Sequence, residues 1–205
     1  MKAKREEFWS MLEYTDPDII IASETWLQAE IKESEVLPDN YHFVARKDRP
    51  GSAHGGTAII ARSNIDAVEV DTNTNTEFVA AAFSCKNLKK TLIIGSLYRP
   101  TNNNSEYTDD LCKAISNLYS SFKDHIIWIS GDAKLPEIDW QNDSIQGHNY
   151  PVGISKAYID LTNDIGCQQM VDFPTRLNNT LDIFLTNRPS LVNRCCPIPG
   201  VSDHD

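Results

Sequence analysis

The chain has 205 residues, enough for one domain with a substantial buried core. Its 40% apolar content, with four Trp, seven Tyr and seven Phe, excludes a disordered chain. The net charge of −10, from 19 basic and 29 acidic residues, includes no basic stripe beyond Lys86, Lys89 and Lys90. That argues against a module coating DNA through phosphate neutralisation, yet permits a hydrolase whose acidic groups hold a divalent ion. No apolar run reaches the ~18 residues of a membrane span, and no secretory pattern opens the chain. An intracellular chain with no membrane partner is therefore expected. The five Cys have no zinc-clip spacing, and adjacent Cys195 and Cys196 cannot readily frame a disulfide, so free thiols are expected.

Lys4 to Tyr14 places Phe8, Met11 and Leu12 on one helical face, and Asp16-Pro17 ends it. Ile19-Ile20-Ile21 is continuously apolar and β-branched, the pattern of a strand buried on both faces. Further strands are expected at Tyr41–Arg46, Thr57–Ala61, Ile65–Val70, Glu77–Cys85, Thr91–Tyr98, Ile126–Ser130 and Leu181–Thr186. Helices are expected at Ser105–Phe122 and Ile154–Ile165, the second ended by Gly166. Several strands follow one another directly, which favours packed mixed sheets with helices outside over a doubly wound sheet. Neither a repeat nor a linker divides the chain.

Four positions carry polar residues that this patterning does not explain. Glu24 follows the Ile19–Ile21 strand, at a strand end where α/β proteins place ligands; a turn or helix cap would explain it equally well. Asp132, in Ser130-Gly131-Asp132, has the same setting, and turn chemistry is its alternative. Asp182 lies in the apolar run Leu181-Asp182-Ile183-Phe184, where a carboxylate needs a cation, a His or a metal. Near the end, Asp203 and His204 are neighbours in Ser202-Asp203-His204. Carboxylates and one His from separate strand ends suit metal-assisted phosphodiester hydrolysis, because Mg²⁺ prefers carboxylate oxygens and keeps positions for water and phosphate.

The order Ser23-Glu24-Thr25-Trp26, Gly55-Gly56, Tyr98-Arg99-Pro100, Ser130-Gly131-Asp132, Leu181-Asp182 and Ser202-Asp203-His204 resembles the endonuclease/exonuclease/phosphatase superfamily. The text around Pro17–Leu27 and Leu135–Trp140 is most similar to the endonuclease domain of non-LTR retrotransposons. The resemblance spans the whole chain and implies an α+β, DNase-I-like sandwich of two packed mixed β-sheets flanked by helices. It implies Mg²⁺, or Mn²⁺ in its place, as cofactor and DNA as substrate. Glu24 then resembles the principal metal ligand, with Asp203 beside the metal. Tyr98 resembles the tyrosine on the scissile phosphate, Asp132 the acid that orients or activates water, His204 the catalytic histidine and Asp182 its buried partner. Gly55 and Gly56 resemble a structural glycine pair.

Three departures accompany the match. Lys134 stands where the family places an Asn two positions after its Gly-Asp acid, and its ammonium competes with Mg²⁺ for Asp132 and Glu24. The family's opening strand with its Asn, and its final strand, are both missing, so a single domain over residues 1–205, truncated at both ends, is expected. The expectation is thus a Mg²⁺-dependent DNA endonuclease of target-nicking type, impaired at Lys134. A nuclear location and further domains, reverse transcriptase among them, go with a working parent element. A catalytically silent copy or binding module, and a phosphodiesterase of small or lipid phosphate esters, are the competing readings.

Overall fold

A computed structural model describes residues 1–84, 90–101, 104–198 and 201. Helix α1 (Arg5–Thr15) ends where Asp16 turns left-handed and donates its backbone N–H to Leu12, just before Pro17. The strands are β1 (Ile19–Ser23), β2 (Tyr41–Lys47), β3 (Thr57–Arg62), β4 (Ala67–Val70), β5 (Phe78–Phe83) and β6 (Leu92–Tyr98), then β7 (Ile126–Asp132), β8 (Ile138–Asp139), β9 (Ser144–Ile145), β10 (Gln168–Gln169) and β11 (Asp182–Thr186). Helix α2 (Ser105–Phe122) joins β6 to β7, and α3 (Val152–Asp164) follows β9.

These elements form four layers. A three-stranded sheet, ordered β1-β3-β2, packs on a six-stranded sheet ordered β10-β11-β7-β6-β5-β4. Between them lie Ala45, Ile59, Ala61, Val79, Ala81, Phe83 and Ile94. Alternation along the strands sends their other neighbours outward. Ile60 meets Phe8 and Leu12 of α1 on one side, while Phe78 and Ala80 meet the helical layer on the other. In α2, Leu111, Ala114, Ile115 and Leu118 recur at helical spacing and are buried. Each buried Leu or Ile contributes about 1.5–3 kcal/mol. Asn104 caps that helix by accepting from the Tyr107 N–H, worth about 1 kcal/mol.

The expected sandwich of packed sheets with flanking helices is present, although the smaller sheet is antiparallel throughout and only the larger is mixed. β1 is not buried on both faces. It runs antiparallel to β3 at the sheet edge and is half-buried along its length, because β-branched residues specify extended backbone without specifying a central place. β4 begins two residues after the expected Ile65, whose N–H closes a turn onto Arg62. β7 runs on to Asp132, and α3 starts at Val152 behind Pro151. Among the described residues no helix is long and apolar enough to cross a membrane.

Candidate functional site

The larger sheet places three of the expected residues side by side. β6 and β7 are parallel with Tyr98 opposite Asp132, and β11 is antiparallel to β7 with Asp182 opposite Asp132. In-register neighbours project from the same face, so Tyr98, Asp132 and Asp182 form one row. Asp182 opens its strand and is half-buried rather than embedded in it. Asp132 is buried, with its backbone N–H donating to the Ser23 hydroxyl at 3.1 Å.

Just beyond this row the chain is clamped by Arg99, whose side chain is fully buried. Its guanidinium donates to the carbonyls of Ala133 (2.8 Å), Pro100 (3.2 Å) and Lys134 (3.0 Å) and lies over the Tyr150 ring. The backbone N–H groups of Ala133 and Lys134 both donate to the Leu181 carbonyl. Lys134 is therefore fixed on both sides of its Cα, in the left-handed region at φ 50°.

Glu24 reaches the row from the smaller sheet. After Ser23 the chain continues along β3's leading segment, with Thr25 donating to Gly56 and Trp26 to Gly55. Both glycines have positive φ, and a Cβ on Gly56 would lie 2.5 Å from the Thr25 hydroxyl. The expected structural role of Gly55 and Gly56 thus has a specific cause. They let this segment approach closely enough for Glu24 and Trp26 to turn left-handed, at φ 51° and 52°. The Ser23 hydroxyl donates to the Leu97 carbonyl at 2.8 Å, tying the two sheets together at the site. Trp26 donates its indole N–H to Glu24 (3.2 Å), packs edge-on against His54 and stays half-exposed.

The centre of the cluster is the Lys134 ammonium. It forms an ion pair with Glu24, lies 3.4 Å from Asp132 Oδ2, donates to the Tyr98 hydroxyl at 3.2 Å and sits 4.9 Å from the Tyr98 ring centroid. Burial opposes the charge on Lys134, but the Glu24 hydrogen bond and the Asp132 charge outweigh it and raise its pKa. Burial likewise works against the Glu24 carboxylate, and the hydrogen bond from Lys134 leads the effects that hold its pKa below the ordinary value. The Tyr98 phenol is pushed up, by burial first and then by Glu24. Arg49 completes the wall: it lies over Tyr98 at 5.4 Å and pairs with the buried Glu77, which also accepts from the Gly56 N–H.

Structure thus brings together Glu24, Tyr98, Asp132, Asp182 and Lys134; Asp203 and His204 lie outside the described residues. The implied Mg²⁺ can be tested against these neighbours. Among the described residues no group of three His, Cys, Asp or Glu side chains gathers to hold a metal. The carboxylate that would lead such a group carries the Lys134 ammonium instead. A divalent ion and an ammonium repel each other when they share an oxygen, so the described residues do not fit the ion. A polar cleft of about 460 Å³ lined in part by Lys47, Asp71, Asn73 and Thr74 contains none of the five residues.

Patterning missed Ser23, Arg49, Glu77 and Arg99 as parts of this site. Ser23 and Arg99 had a local signal, as members of the motifs Ser23-Glu24-Thr25-Trp26 and Tyr98-Arg99-Pro100. Arg49 and Glu77 meet only through the fold.

The fold is a DNase-I-like sandwich, shared with three solved domains of low sequence identity. The endonuclease domain of TRAS1, a telomere-specific non-LTR retrotransposon, superposes with a TM-score of 0.63 at 13% identity, over 90% of this chain and 80% of that one. The human nocturnin catalytic domain with bound sulfate anion gives 0.63 at 13% identity, over 100% and 83%. The Xenopus laevis APE2 catalytic domain gives 0.63 at 15% identity, over 92% and 79%. No family model matches the sequence, and no curated protein matches it.

Proposed function

We propose that the chain is a phosphodiester-directed domain of nuclease type, with DNA as its substrate, whose Mg²⁺-dependent nicking is impaired by Lys134. The observation that carries this reading is the row Tyr98, Asp132 and Asp182 with Glu24 facing it across the two sheets. In that arrangement Tyr98 offers a hydroxyl to a phosphate oxygen, and Asp132 offers a carboxylate to orient an attacking water. The likeness to a retrotransposon endonuclease domain supports DNA, and the sulfate bound to the nocturnin catalytic domain is a tetrahedral anion taken by a domain of this fold. Further retroelement domains in the parent protein and a nuclear location belong to the same reading.

The test is nicking of supercoiled plasmid in Mg²⁺. Wild-type nicking no higher than background, its appearance in Lys134→Asn, and its loss again on adding Glu24→Ala are expected. Nicking unchanged by Glu24→Ala and Asp132→Ala would remove these residues from the reaction. Lys134 itself favours a second reading, a silent domain that binds DNA. Retention of duplex in a gel shift, with no nicking in any variant, would select it.

A further inference from the structure

Glu24 and Asp132 bring two carboxylates to the meeting point of the two sheets, and one cationic side chain stands on both: the ion pair with Glu24, and 3.4 Å to Asp132 Oδ2. An ammonium has three donors and no acceptor, so it satisfies carboxylate oxygens as a metal ion does, with half the charge. Its placement is built rather than incidental. The Lys134 backbone is held by Leu181 and Arg99, its φ is the left-handed 50°, and its side chain, only 12% exposed, lies against the Tyr98 ring. A non-glycine residue held in that region is strained, and the surrounding bonds fix it there.

We propose that Lys134 is a tethered monovalent cation seated on the carboxylate pair that a divalent ion would occupy. The wild-type chain therefore excludes Mg²⁺ and Mn²⁺ from this pair, and neutralising position 134 opens it. The inference rests on the reading above only in naming the carboxylates. Removing the ammonium takes away the cation that stands on both carboxylates and frees oxygens of the kind a divalent ion prefers.

Two variants test this without requiring activity. Lys134→Met keeps most of the apolar stem while removing the charge and its hydrogen bond to Tyr98. Lys134→Asn suits the left-handed backbone, which Asn adopts more readily than Lys. Calorimetric titration with Mn²⁺ should show no binding that depends on Glu24 in the wild type. Each neutral variant should gain one ion, with affinity raised at least about tenfold, and lose it again when Glu24→Gln is added. The same ion should raise the melting temperature of the neutral variants and leave that of the wild type unchanged. A wild-type Mn²⁺ site abolished by Glu24→Gln would overturn the proposal. So would the absence of any gain in both variants when their circular dichroism melts show folded protein. A metal gained without plasmid nicking supports the tethered cation and counts against the nuclease reading.

Discussion

The two walls of the site are held in different ways. The wall from the larger sheet is fixed by buried bonds: the register of β6, β7 and β11, and an Arg99 guanidinium sealed among three carbonyls. The wall from the smaller sheet comes off an edge strand and is fixed by backbone conformation, two positive-φ glycines letting Glu24 and Trp26 turn left-handed beside them. One wall draws on the free energy of the core and the other on local geometry. Damage to the first should therefore appear as lost stability, and damage to the second as a displaced Glu24 in a protein that still folds.

The largest effect should come from Arg99. Arg99→Met removes the guanidinium and leaves buried carbonyls of the 133–134 turn without their donors, costing about 1–3 kcal/mol for each of them. Urea denaturation followed by far-ultraviolet circular dichroism measures it. Gly56→Ala comes next. The added Cβ meets the Thr25 hydroxyl and must adopt φ +85°, a strain of about 1–3 kcal/mol. Because Gly55 and Gly56 anchor the segment carrying Trp26, its emission maximum should shift even where the protein remains folded. A Gly56→Ala cost equal to that of Arg99→Met would erase the distinction between the walls.

The same contrast explains what was legible in the sequence. β6 and β7 could be located from continuous apolar runs, and a helix over roughly Ser105–Phe122 was readable, because periodicity acts locally; the Asn104 cap emerged only from the structure. Glu24 and Asp132 stood out because a carboxylate after an apolar strand has no packing reason to be there. What sequence could not supply was anything fixed by long-range register. The edge position of β1 follows from its pairing with β3 some forty residues away, and nothing in Ile19-Ile20-Ile21 encodes it. Arg49 and Glu77 read as loop and strand-start residues until the fold pairs them beside Gly55 and Gly56. Lys134 was legible as a competitor for Glu24 and Asp132, but its seat against Tyr98 was not.

The smallest effect should come from Tyr107, which braces the larger-sheet wall at Glu77, the residue whose carboxylate reaches across to the Gly56 N–H. Its hydroxyl accepts from the Glu77 N–H at 2.7 Å and donates to the Tyr98 carbonyl at 3.3 Å. Tyr107→Phe leaves that N–H without its acceptor and should cost about 1 kcal/mol at neutral pH. Alkaline pH supplies a second and sharper measurement. Burial, the leading cause, pushes the Tyr107 pKa from 10.0 up to about 12, so the unfolded phenol ionises first. The native state then holds the extra proton between these values, and stability falls as pH rises through that window. Its contribution is complete below pH 10.0 and is lost by about 12. Denaturation midpoints followed from neutral pH into that range should therefore decline less steeply in Tyr107→Phe than in the wild type. Parallel declines in the two proteins would show that this hydroxyl is open to water, and that it does not brace the wall at Glu77.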